Sequence, residues 1–195
     1  MPREEQKMRS EYIRQAILDT ALEIGIKEGF EEVSIRKIIK QMNYSTGVVY
    51  HHFKDKQEII NAIETAQTQW LHGQIKELLD PNKDIADEME TVFFRITRLA
   101  YEEPEKYNLI VLHKYSRRNA GKPQWISHLS KRLKAGMDTG LIRRLEPEKA
   151  AFSIWSSFLG FSLMISTHMD LSWEQVEKMF QIQLDVILKG VLLHE

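Results

Sequence analysis

Apolar positions recur at three- and four-residue spacing almost from end to end of this chain, with no sustained alternation of the kind a strand needs. The pattern predicts an all-α protein of about nine helices separated by short breaks, with no internal repeat. The first helix is expected over about 10–28, followed by Gly29-Phe30. A long one is expected over about 56–79, stopping near Asp80-Pro81-Asn82, and another over about 84–102, ended by Glu103-Pro104. A shorter one follows over about 105–113, then a loop over Ser116 to Pro123, then a helix over about 124–139 that ends at Gly140. Pro147 opens the next, to about 169, at a position where its missing N–H is no loss. Ser172 caps the last, to about 193, with Gln175 at capping-box spacing.

The most informative stretch is 34–56. Ser34 is a good N-cap, and Ile35, Ile38, Ile39 and Met42 then build one apolar face, with Arg36, Lys37 and Lys40 largely off it. Asn43 suits a helix end because asparagine tolerates the left-handed conformation. Ser45 is expected to cap a second short helix. On it, Val49 and Phe53 can face the core while Thr46, Val48, Tyr50 and His51 point outward. Gly47 keeps that surface low, which would let the helix approach a groove closely. Asp55 and Glu58 have capping-box spacing for the helix that follows. Two short helices joined by a tight turn are the pattern of a helix-turn-helix, whose second helix enters the DNA major groove.

Tyr-Ser-Thr-Gly-Val-Val-Tyr-His-His-Phe-Lys-Asp-Lys, residues 44–56, resembles the signature of the TetR/AcrR family of bacterial transcriptional regulators. The upstream helix, Gly29-Phe30 and Val33-Ser34-Ile35-Arg36 also resemble that family, so the likeness covers about residues 10–60. It implies a helix-turn-helix DNA-binding domain over 1–55 and a helical effector-binding and dimerisation domain over 56–195. The implied protein is a homodimer on a palindromic double-stranded DNA operator, most often a repressor, released by a small-molecule effector and working in the cytoplasm. Ser45, Thr46, Tyr50 and Lys56 are then expected at the phosphate backbone and Arg36, Thr46, Val48 and His51 at base edges, with Ser34 and Gly47 also in the DNA-binding set. Thr46 departs from the small or basic residue usual after the serine.

Charge changes this picture locally. The net charge is −1, yet residues 33–56 hold five basic side chains and Asp55 as the one acid. Residues 113–144 hold nine basic side chains and one acid. Arg117, Arg118, Lys122, Lys131, Arg132 and Lys134 could attract an anionic effector, such as an acid or an acyl-coenzyme ester; a solvated basic face is the plainer reading. The resemblance implies a cavity among the helices from 56 to 169, for which Trp70, Phe93, Phe94, Tyr107, His113, Trp125, His128, Phe158 and Met164 are candidates, although aromatics at this spacing also build ordinary core. The last two helices look like a dimer interface, through Phe152, Trp155, Ser156, Leu159 and Gly160, then Val176, Phe180, Leu184 and Ile187.

Other classes of function find little support. The absence of cysteine excludes a disulfide framework and a thiolate zinc site, and the histidines lack metal-ligand spacing, so no metal or cofactor is expected. No nucleophile elbow, dinucleotide fingerprint or zinc-protease motif occurs, and Gly121-Lys122 lacks the earlier glycine of a phosphate loop, so an enzyme is not expected. The N-terminus has no signal-peptide core. The stretch Ala150 to Met169 carries serines, Trp155 and His168 and reads as a buried helix, so no membrane partner is expected. The remaining alternative is a DNA-binding dimer without a small-molecule switch, acting through a protein partner or as an architectural factor.

Overall fold

The computed structural model describes residues 3–78, 83–115, 124–168 and 170–192. The expected break at Asp80-Pro81-Asn82 and the loop 116–123, with Arg117, Arg118 and Lys122, lie outside the described residues. Nine α-helices are described: α1 (Arg3–Glu28), α2 (Ile35–Met42), α3 (Thr46–His52), α4 (Lys56–Leu78), α5 (Ile85–Glu102), α6 (Pro104–Ile110), α7 (Gln124–Asp138), α8 (Pro147–Thr167) and α9 (Trp173–Val191). Among the described residues there is no strand, only an isolated antiparallel bridge between Ile142 and Leu192.

The helix ends follow the local rules. Ser34 accepts from Lys37 N–H and Ser172 from Gln175 N–H, the latter in a reciprocal capping box. Asn43 takes the left-handed conformation at φ 55° and Gly140 at φ 78°. Two expectations are corrected. The Ser45 hydroxyl makes no capping bond, although its carbonyl accepts from Val48 N–H at 3.1 Å. The helix expected to reach residue 113 ends at Ile110, because His113 turns to φ 51° and breaks the helical run.

The chain packs as two compact units. One comprises residues 1–71 and 105–119, the other 72–104 and 120–195. The residues on both sides of the expected 55/56 boundary lie in the first unit, which adds α4 as far as Leu71 and α6 from Glu105 onward to the three N-terminal helices.

In the first unit α1 packs on α2 and α3, and α2 on α3. Ile17, Ala21 and Ile24 lie on one face of α1 and are buried with Phe30, Ile38, Val49 and Phe53. Gly25 is required by this packing: a Cβ there would stand 2.4 Å from the Phe30 ring. The segment after α6 is tied to the same core. Tyr115 lies against Phe30 at 5.5 Å, its carbonyl accepts from Gln57 Nε2 at 2.9 Å, and its hydroxyl donates to Glu105 at 2.7 Å.

In the second unit α8 packs on α5, α7 and α9, and α5 also meets α7 and α9. Phe93 and Phe158 stack face to face at 4.0 Å. The helix α8, expected as a buried helix, has the length and apolarity of a membrane span. Its apolar residues divide instead between a face buried on its neighbours (Ile154, Trp155, Phe158, Ile165) and an exposed face (Phe152, Leu163, Met164).

Candidate nucleic-acid interface

The helix α3 leaves its outer side open. Val49 is fully buried and Phe53 nearly so, which fixes the rotation of the helix, and Thr46, Gly47, Tyr50 and His51 are exposed, with Val48 half-buried. Tyr50 is 55% exposed, a large apolar ring with no intramolecular reason to face water. Gly47 has none either: a Cβ there would meet only Ser45 Oγ, at 4.0 Å. Gly25 is a glycine because of its own fold, whereas Gly47 answers to no crowding among the described residues.

The flanking positions differ in how free they are. Arg36 is exposed on α2. Ser34 is half-buried and uses its oxygen as the cap of α2, at 3.2 Å from Lys37 N. Lys37 is held between Glu28 and Glu32, each at 2.9 Å. Its pKa is raised by hydrogen bonding to Glu32 and then to Glu28, and the same bond and the Lys37 charge lower that of Glu32. Lys37 is thus a clamp between α2 and the end of α1. Lys56 donates one N–H to the Glu31 carbonyl at 2.6 Å, a bond that spacing along the chain gave no sign of, and two of its three donors are left over. At the start of α4, Asp55 accepts from Glu58 N–H at 2.9 Å, while the Glu58 carboxylate returns to Lys54 N–H, one residue earlier than in the standard box. His51 and His52 meet edge to face at 5.0 Å. The His52 pKa is lowered, first by burial, then by His51 and Arg14, against a small opposing effect of Glu11.

The expected cavity residues do not converge on one site. Trp70, Tyr107 and His113 belong to the first unit. There Trp70 lies under Lys106 Nζ at 4.0 Å, Tyr107 is fully buried, and His113 Nδ1 is 2.6 Å from Glu64. A small, partly open cavity lies in the second unit, among α5, α7 and α8, and Phe93, Trp125 and His128 line it with Met89, Leu129 and Trp155. Phe158 stacks behind Phe93, Phe94 turns the other way onto Trp173 and Phe180, and Met164 is 60% exposed. None of these three lines the cavity.

The expected dimer residues also divide. Phe152, Ser156 and Gly160 are exposed and Leu159 is half-buried. Trp155, Val176, Phe180, Leu184 and Ile187 are buried within their own unit, because α9 turns its widest apolar face to α5 and α8. What α9 leaves outside is Met179, Ile182 and Val186, spaced 3 and 4 apart and 44%, 66% and 62% exposed.

Residues 17–63 match the family model described as bacterial regulatory proteins, tetR family. The HTH-type transcriptional regulator QacR of Staphylococcus aureus is 38% identical over 69 residues, covering 33% of this chain and 37% of that protein. The HTH-type transcriptional regulator AcrR of Shigella flexneri is 35% identical over 57 residues, covering 29% and 26%. The chain thus spans only about a third of the length of the curated relatives it matches. Solved structures resemble the whole fold at low identity. AibR, in complex with isovaleryl coenzyme A and operator DNA, aligns with a TM-score of 0.69 and 21% identity, covering 89% of this chain and 97% of that one. The ketosteroid regulator KstR2 of Mycobacterium tuberculosis aligns with a TM-score of 0.67 and 15% identity, covering 93% and 95%. With the signature in register on α2 and α3, residues 17–63 are those of the TetR family of bacterial regulatory proteins, and the helices around them take a fold that solved structures of that family share.

Proposed function

We propose that this chain is a transcriptional regulator that binds a near-palindromic double-stranded operator as a homodimer and is released from it by a small-molecule effector. The observation that carries the DNA reading is the outer face of α3. It is held by Val49 and Phe53 and presents Tyr50, His51 and a glycine that its own fold does not need. A surface kept low for no internal reason suits close approach to a duplex. Ser45, Thr46, Tyr50 and Lys56 hold phosphates, and Arg36, Val48 and His51 reach base edges.

Dimerisation uses the exposed stripe of α8 (Phe152, Ser156, Gly160, Leu163) with that of α9 (Met179, Ile182, Val186). Two such helices from each protomer make a four-helix interface. The reading helices then stand about 34–36 Å apart, to meet successive major grooves. The effector takes the cavity of the second unit, and it releases DNA only if it binds the released state more tightly than the bound one.

The test is selection of bound fragments from a random DNA pool at stated salt. A two-fold symmetric motif with half-sites one helical turn apart is expected. Enrichment of asymmetric sites, or of none at salt where control regulators select theirs, overturns the dimeric reading.

A further inference from the structure

The cavity among α5, α7 and α8 has two polar side chains on its wall, Glu88 and His128; the other seven lining residues are apolar or indole. Those two are not waiting for a ligand. Glu88 Oε1 is bonded to His128 Nε2, and Glu88 Oε2 accepts from Arg132 Nε at 2.6 Å. Arg132 donates in turn to the Lys83 carbonyl at 2.9 Å. The Glu88 carboxylate is only 12% exposed, so the chain's own acid already answers Arg132, the arginine beside the cavity from which an anionic effector would draw affinity. A cation meets the converse obstacle, since the carboxylate that would receive it has its oxygens taken. Either charge must compete with a pair whose carboxylate is largely out of water, although His128 and Arg132 keep part of their surface in it.

What remains unanswered in the cavity is apolar and aromatic. Trp125, Trp155 and Phe93 give it ring surfaces, and Met89 and Leu129 complete the walls. Trp125 is itself held edge-on by His72 at 5.2 Å, and Phe93 is backed by Phe158. Rings fixed from behind favour a rigid, planar guest. We propose that this cavity binds an uncharged, planar apolar molecule, and that the internal Glu88–His128–Arg132 pairing excludes its acidic and basic relatives. This rests on the reading of the second unit as the effector-binding unit and adds the class of the effector to it.

Three naphthalene derivatives of nearly equal shape test the proposal: the 2-methanol, the 2-carboxylate and the 2-methylammonium. Binding is followed on the full chain without DNA, by tryptophan fluorescence quenching, with Trp125→Phe to assign the signal. The alcohol is expected to bind at least tenfold more tightly than either ion. Equal or tighter binding of the carboxylate or the ammonium overturns the proposal, as does the absence of binding by all three. In Glu88→Gln, whose fold is checked by circular dichroism, Arg132 and His128 lose their internal anion, and the carboxylate is expected to gain at least tenfold. An unchanged preference in that variant shows that the pairing does not set selectivity and overturns the second half. Binding of the alcohol with no change in DNA affinity upholds the ligand class while removing the effector role, so the two readings fail separately.

Discussion

At the scale of single residues, Gly47 and Gly25 make opposite predictions although both lie in helices. Gly25→Ala forces a methyl group into the Phe30 ring, an overpacking that costs about 1–3 kcal/mol and lowers Tm. Gly47→Ala puts a methyl group into open space and gains up to about 1 kcal/mol of helix propensity. We expect its Tm to hold or rise while operator affinity falls at least tenfold, read by thermal melting and by fluorescence anisotropy on labelled DNA. A variant that binds DNA as tightly as the parent would remove close approach as the role of Gly47. Lys56→Ala is expected to weaken binding to all sequences alike and to reduce the salt slope by about one. An unchanged slope would leave Lys56 as a tie to Glu31 alone. What was legible here was local. The Ser34 and Ser172 caps and the Asn43 turn are bonds between residues three to five apart, which spacing along the chain predicts. The bond from Lys56 to Glu31 spans 25 residues, and nothing in either neighbourhood announces it.

At the scale of elements, α9 shows where periodicity stops informing. Its sequence offers apolar residues around more than half its circumference, and Val176, Phe180, Leu184 and Ile187 form the denser stripe. Which stripe turns inward is decided by α5 and α8, and they take the dense one. The two stripes can be separated by mutation. Phe180→Ala removes a ring that is 1% exposed and should cost about 3–5 kcal/mol whatever the oligomeric state. Ile182→Glu alters a side chain that is 66% exposed, so the helical spectrum should be unchanged while sedimentation shifts from dimer to monomer. If Ile182→Glu sediments as the parent does, the α8–α9 stripe is not the interface.

At the scale of the whole molecule, two histidines make stability depend on pH. Burial is the first cause of a lowered pKa at both His52, in the first unit, and His72, in the second. The folded chain therefore resists protons that the unfolded chain accepts at a pKa of about 6.5. Above that pH both states are neutral there and the two residues cost nothing. As pH falls through about 6.5 toward the lowered folded values, the unfolded state gains and native stability declines. Urea denaturation at about pH 7.5 and about pH 5.5 should show the loss, and the double variant His52→Gln, His72→Gln should show less of it. An equal loss in the variant would assign the effect to other groups.

The path of the chain between the two units has a practical corollary for building hybrid regulators. Residues 105–119 return to the unit that holds α1 to α3, where Tyr115 lies on Phe30, Gln57 holds the Tyr115 carbonyl, and Lys114 sits 3.7 Å from Glu31. Grafting residues 1–55 onto a foreign sensor would strip the reader of these struts. A transplant that keeps the donor's 1–71 together with 105–119, and exchanges only what lies between and beyond them, carries the reader over with its supports intact.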